Sequence, residues 1–295
     1  MQRTARQNRQ EAVFYQKEGK DGAVVCLLCP RQCRLMPGQI GFCGARGNQG
    51  GRLYALSYGW VRVLHLELID ALPFTEFYEG MGALAVGTYG CNMRCPICNT
   101  WQITNGPGTG KYIEPEELVE LACRLLSKDN VGIAYSYNEP LVGYEFVRDG
   151  AMLAKALDLR VMISTNGIIN AEPLRRLLPF LDAVNLDIKT MDAAYYDNVL
   201  QAPLQIVLEN AKTIYQSGVH LEISTVLQKG VNDQPEQLQA LAAFIADELG
   251  PEVPIHILEQ LPNGKMLMEP TTETELMTAA KIVNGYLLNV YIGTP

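Results

Sequence analysis

GTYGCNMRCPICNT, residues Gly87 to Thr100, is the stretch on which the reading of this chain turns. It follows an apolar run, Ala83 to Val86, and sets Cys91, Cys95 and Cys98 in the spacing C-x3-C-x2-C on one short loop. Three thiolates so placed can hold three corners of an iron-sulfur cluster. A [4Fe-4S] cluster that only relays electrons takes four thiolates, so a loop of three leaves one iron open to a substrate or cofactor.

Upstream, the stretch VVCLLCPRQCRLMPGQIGFCGAR, Val24 to Arg46, carries Cys26, Cys29, Cys33 and Cys43 in the spacing C-x2-C-x3-C-x9-C. Four thiolates close a coordination sphere. Zinc takes tetrahedral sulfur sites, and a [4Fe-4S] cluster uses four thiolates equally well; the tight spacing favours a second cluster, with structural zinc the alternative. Cys123 stands apart in the apolar pattern ELVELACRLL and reads as an inert core thiol.

The chain has 295 residues, 48% of them hydrophobic and 19% charged, enough for a large domain with a smaller one. A net charge of -8 argues against a nucleic-acid surface. Arg3, Arg6 and Arg9 read as a solvated basic end, and residues 1 to 20 as a short helix or mobile start. No run of about 18 apolar residues and no apolar leader suggest a membrane span or signal peptide. Eight cysteines in such a chain point to metal or redox chemistry in a reducing compartment, the cytoplasm.

From Ala83 onward short β-rich runs alternate with amphipathic helices, the rhythm of parallel β/α units. Strands are expected at Ala83 to Thr88, Gly132 to Tyr137, Arg160 to Thr165, Ala183 to Ile188, His220 to Val226 and Pro254 to Glu259, with Asn289 to Gly293 as a terminal strand. Six units make an α/β fold, a partial (β/α)6 TIM barrel over residues 83–295. Residues 1–82 form an N-terminal segment with the cysteine knuckle and a connector lying against the barrel, in which His65 reads as a packed strand residue. Barrel chemistry collects at the C-terminal ends of the strands.

The cysteine loop, the strand rhythm and the strand-end motifs together resemble the radical S-adenosylmethionine (SAM) enzymes, and within them the pyruvate formate-lyase activating enzyme branch and the AmmeMemoRadiSam-type proteins. The resemblance implies a [4Fe-4S] cluster on Cys91, Cys95 and Cys98 whose open iron chelates SAM. It also implies reductive cleavage to a 5'-deoxyadenosyl radical, hydrogen abstraction from an unidentified substrate, small molecule or protein residue, and a flavodoxin- or ferredoxin-like reductant. Ser136, Asn138 and Glu139 fall where the family holds the SAM amino group, although Tyr137 and Asn138 replace paired glycines. Ser164, Asn185, Asp187 and Lys189 fall where it holds ribose and carboxylate, and Ser164, Thr165, Asn185 and Asp187 where the activating enzyme places a monovalent cation, with Ser164 standing for an acid. Glu222 lies on the fifth strand, and His256, in a Pro-x-His-x-Leu segment, corresponds to a SAM-contacting histidine. Ile97 replaces a common aromatic residue, while Gln201 to Pro203 and Glu259 to Pro262 depart from the family pattern in the substrate region. The rival readings are a non-catalytic iron-sulfur carrier and a zinc-binding adaptor.

Overall fold

The computed structural model describes residues 10–104, 110–262 and 269–294. The basic end at Arg3, Arg6 and Arg9 lies outside the described residues. Residues 10–18 are strands and not a helix: Gln10–Glu11 pairs with Arg52–Ala55, and Tyr15–Glu18 with Ala23–Cys26. Phe14, at φ +54, turns the chain between them. Pairing with distant partners overrides the weak local pattern of this polar start.

The central sheet is built from β1 (Val63–Leu68), β2 (Gly82–Gly87), β3 (Asn130–Tyr135), β4 (Arg160–Thr165), β5 (Ala183–Asp187), β6 (His220–Val226), β7 (Ile255–Leu258) and β8 (Val290–Gly293). Its order is sequential from β1 to β8, parallel throughout except for β1, which runs antiparallel to β2. Helices α1 (Pro115–Arg124), α2 (Tyr144–Lys155), α3 (Ala171–Leu177), α4 (Leu204–Gln216), α5 (Pro235–Glu248) and α6 (Glu273–Val283) alternate with the parallel strands. Strands covered on both faces read as unbroken apolar runs, which is why β2 is buried along its whole length. The result is a partial TIM barrel, open between β1 and β8.

Outward-facing Leu84, Val86, Ile133, Val161, Ile163 and Leu186 join the main core beneath the helices. That core also takes in Val24, Leu28, Leu35 and Leu53 from the N-terminal part. Inward-facing positions are small, Ala83, Ala85, Ala134 and Ala183, and the space they leave is filled by Phe74 and Met162. The connector therefore does more than lie against the barrel: β1 extends the sheet, and residues 69–81 plug its interior from the N-terminal side of the strands. Burying Phe74 alone contributes about 1.5–3 kcal/mol.

Candidate functional site

The loop after β2 is clamped on every side. Its turn at Gly90, φ +99, has no room for a side chain: a Cβ there would stand 2.7 Å from the Ala45 Cβ and 2.8 Å from the Cys43 carbonyl oxygen. Glycine thus lets the loop lie directly on the N-terminal segment. The Cys91 amide donates to the Cys43 carbonyl at 3.1 Å, and the Arg94 amide to the Leu200 carbonyl at 3.0 Å. The Asn92 side chain donates to the Ile168 carbonyl at 2.7 Å, and the Arg94 guanidinium to the Phe42 carbonyl at 2.7 Å.

On this loop the Cys91 sulfur receives the Met93 amide at 3.5 Å and the Asn166 side-chain amide at 3.7 Å. Burial, then the nearby Glu139, Cys95 and Cys98, pushes the Cys91 thiol up. Burial likewise raises Cys95 to about 11, with Lys189 pulling the other way. Dry, crowded thiols of this kind give up their protons to a bound cation and not to water.

Glu139 lies just past β3, buried, with its carboxylate shared among the Leu141 amide at 2.9 Å, the Thr165 hydroxyl at 2.7 Å and the Asn166 amide at 2.8 Å. It caps the turn Pro140–Gly143 and ties the end of β3 to the end of β4. Burial pushes its carboxyl up to about 7 against those hydrogen bonds. Asn138 accepts the Thr88 amide at 2.8 Å and donates to the Gly90 carbonyl at 3.2 Å, so it braces the cysteine loop. Ser136, partly exposed, receives the Asn138 amide on its carbonyl at 2.9 Å. Tyr137 stands at φ +69, the left-handed region that suits glycine. Its hydroxyl meets His65 at 3.0 Å, so His65 is an exposed residue that pins Tyr137 and not a packed one.

The mouth of the barrel holds two orphaned atoms. The Ser164 hydroxyl at the end of β4 and one Asp187 carboxylate oxygen at the end of β5 are buried without a hydrogen-bond partner. The other Asp187 oxygen pairs with the Lys189 ammonium. Burial opposes the Lys189 charge, but Asp187 and Cys95 more than offset it and raise its pKa.

Deeper in, the expected ligands are already engaged. The Asn185 side chain donates to the Pro73 carbonyl at 2.9 Å and accepts the Ser224 hydroxyl at 2.7 Å. Glu222, fully buried, accepts the Thr75 and Glu76 amides at 3.1 and 3.0 Å, and pairs with His220 at 2.8 Å and His256 at 2.6 Å. His256 stacks on Tyr291, ring centroids 5.3 Å apart. Glu222, His256 and Asn185 thus face the plug, while Thr165 is spent on Glu139. Of the four positions matched to a cation site, Ser164 and Asp187 keep a free atom.

The N-terminal cysteines converge as well. Cys26, Cys29, Cys33 and Cys43 line one cavity, walled by Leu28, Leu35 and Val142 and closed by Asn92 and Arg46. Arg46, 2% exposed, forks onto Glu145 at 2.8 and 2.9 Å and donates to the Val13 carbonyl at 2.8 Å, yet its Nε has no partner. Burial raises the Cys43 thiol to about 11, and Arg46 draws it back down. A buried cation with an unused donor beside four thiols fits an anionic metal-thiolate group.

Among the described residues, no three His, Cys, Asp or Glu side chains are gathered closely enough to hold one bare metal ion. Four sulfurs around zinc at roughly 2.3 Å stand only about 4 Å apart. A four-iron cluster is a larger body that also takes four thiolates, so the cysteine set itself admits either group. Arg46 and Asn166, whose roles nothing in the local sequence marks, join these sites through residues far away in the chain.

The chain belongs to the radical SAM superfamily, whose family model matches residues 86–242. It is therefore an enzyme of SAM-dependent radical chemistry, with a [4Fe-4S] cluster and SAM as its cofactors. It is 36% identical over 288 residues to an uncharacterized protein of Methanocaldococcus jannaschii, covering 96% of this chain and 84% of that one. It is 29% identical over 166 residues to the pyruvate formate-lyase 1-activating enzyme of Escherichia coli, covering 54% of this chain and 66% of the enzyme. Its fold is similar to a radical SAM methyltransferase from Sphaerobacter thermophilus, TM-score 0.58 at 15% identity over 73% of this chain and 67% of that one. Streptococcus suis SuiB bound to S-adenosylmethionine gives 0.55 at 14% identity over 70% and 48%. No helix among the described residues is long and apolar enough to cross a membrane.

Proposed function

We propose that Cys91, Cys95 and Cys98 hold the SAM-cleaving cluster, that SAM lies in the barrel mouth above the plug, and that the enzyme takes a hydrogen atom from a small molecule or a protein residue. The observation that carries this is the pairing of the three-thiol loop with the orphaned Ser164 hydroxyl and Asp187 carboxylate at the neighbouring strand ends. When bound, the reduced cluster supplies the electron that splits SAM into methionine and a 5'-deoxyadenosyl radical. The chain's own part is to bind, orient and exclude water. Ser164 and Asp187 offer polar atoms to the ribose, and Lys189, held by Asp187, a cation for the carboxylate. Ser136, beside the loop-bracing Asn138, offers a carbonyl to the amino group. Glu139 ties the ends of β3 and β4 together beside the loop, and Asn185, Glu222 and His256 hold the floor.

A second [4Fe-4S] cluster on Cys26, Cys29, Cys33 and Cys43 is supported by their convergence on one cavity and by the unused Arg46 donor beside them, with structural zinc the alternative. A flavodoxin- or ferredoxin-like protein supplies electrons. All eight cysteines are free thiols, which suits the cytoplasm. Likeness to activating enzymes favours a protein-residue target, as in glycyl-radical activation.

Anaerobic reconstitution tests the reading: about eight irons per chain if both groups carry four-iron clusters. Reduction with dithionite and SAM is expected to release 5'-deoxyadenosine from the wild type and not from Cys95→Ala. Equal release from both would overturn the assignment.

A further inference from the structure

We propose that the N-terminal cysteine group is the electron entrance of this enzyme: one electron arrives there from an acidic carrier protein and crosses to the Cys91, Cys95, Cys98 site through the contact between Cys43 and Cys91. The inference rests on the reading that both groups hold iron-sulfur clusters, and it adds a direction and a path.

The competing role, anchoring a substrate, needs an open coordination position facing the barrel mouth. Cys26, Cys29, Cys33 and Cys43 provide four sulfurs and leave none open. Their cavity is walled by Leu28, Leu35 and Val142, and the strand-end groups Ser164, Asp187 and Lys189 are not part of its lining. A site closed by sulfur and turned away from the mouth can relay electrons but cannot present a substrate.

Very little protein separates the two groups. The Cys43 carbonyl and the Cys91 amide are 3.1 Å apart and hydrogen-bonded, so the link runs from one ligand residue straight into another. A second bridge lies beside it. Asn92, 2% exposed, lines the cavity together with Cys29. It accepts the Asn166 side-chain amide at 3.1 Å, and that same amide donates to the Cys91 sulfur at 3.7 Å. Tunnelling falls steeply with distance and prefers bonded paths; both bridges are short, and Asn92 and Asn166 in the second are buried.

The outer side is cationic. The Arg31 and Arg94 guanidiniums sit over the Phe42 ring, 3.5 and 3.6 Å from its centroid, beside Cys43. Arg34, nearby, is already paired with Glu18 and Asp21. On a chain of net charge -8, this paired-arginine lip is a local positive field where an acidic carrier docks and a basic one does not. The transfer balances: the carrier is oxidised by one electron, the barrel cluster is reduced by one, the N-terminal site returns to its starting state, and no bond forms or breaks.

The test uses full-length protein loaded anaerobically with iron and sulfide. In the fully reduced wild type, electron paramagnetic resonance is expected to show two interacting spins, with broadened lines and fast relaxation. A Cys26→Ser, Cys29→Ser variant should show one unbroadened signal. Stopped-flow reduction by reduced flavodoxin is expected to slow about tenfold in Arg31→Glu and with added salt, as for steered association. Reduction by photoreduced deazaflavin, a small reductant, should be slowed far less. Eight irons with a spectrum that is the plain sum of two isolated signals would overturn the entrance while leaving the two-cluster reading intact. So would flavodoxin reduction of the barrel cluster that is equally fast without the N-terminal group. Four irons with bound zinc would overturn both.

Discussion

Glu222 receives the backbone amide of Thr75 at 3.1 Å, which fastens the plug to the inside of the barrel wall. Burial alone would raise this carboxyl, but hydrogen bonds from His220 and His256 outweigh it and hold the group below its ordinary 4.5. A depressed folded-state pKa adds stability that is present above the unfolded value and lost as the pH falls through the folded one. The metal-free protein is therefore expected to lose melting temperature steeply below pH 4.5. Glu222→Gln should melt lower at neutral pH and show a shallower acid loss. Parallel curves for the two proteins would contradict the role given to this carboxylate.

Arg46 and Glu145, both buried, join the N-terminal cysteine cavity to α2 and pin Val13 by its amide and carbonyl. Removing one member of a buried pair strands the other, at a cost of about 3–5 kcal/mol. Glu145→Ala should lower the urea midpoint accordingly. Arg46→Met with Glu145→Leu is expected to recover much of that loss, because neither charge is then left alone. A double variant as unstable as the sum of the singles would show that the pair acts independently of one another.

Gly90 is the hinge between the two cysteine groups. Alanine there must take φ +99 and push its Cβ toward Ala45 and the Cys43 carbonyl, costing about 1–3 kcal/mol. Gly90→Ala is expected to bind less iron on reconstitution, since the loop must lift off its bed. Adding Ala45→Gly removes one of the two close contacts and should restore part of the iron. Full iron in Gly90→Ala alone would mean that the loop tolerates displacement.

The barrel strands were legible because strands buried on both faces leave apolar runs that need no tertiary knowledge. Arg160 to Thr165 and His220 to Val226 match their expected bounds. The alternating text of Val63 to Leu68 could not say that it would join the same sheet, since an edge strand is chosen by its partner. Nor could it say that Phe74 would fill a hollow left by four alanines contributed by three strands. The cysteines announced themselves by spacing. Arg46 and Glu145, 99 residues apart, could not. Tyr137 marks the boundary most clearly: the sequence has lost the glycine, yet the backbone keeps glycine's φ, with His65 holding the ring.

Ser164 gives the cleanest probe of the cofactor seat. Its hydroxyl is buried and has no hydrogen-bond partner within the chain, so Ser164→Ala removes no hydrogen bond of the fold. Stability without SAM should hardly change. A hydrogen bond to a neutral ribose hydroxyl contributes about 0.5–1.5 kcal/mol, so SAM affinity should fall roughly twofold to tenfold. Asp187→Asn is less selective, because it also takes the counter-charge from Lys189 and should lower stability with or without SAM. Anaerobic calorimetry on cluster-loaded protein separates these outcomes. If Ser164→Ala binds SAM as tightly as the wild type while Asp187→Asn does not, the cofactor leans on β5 alone and the seat drawn across β4 and β5 is misplaced.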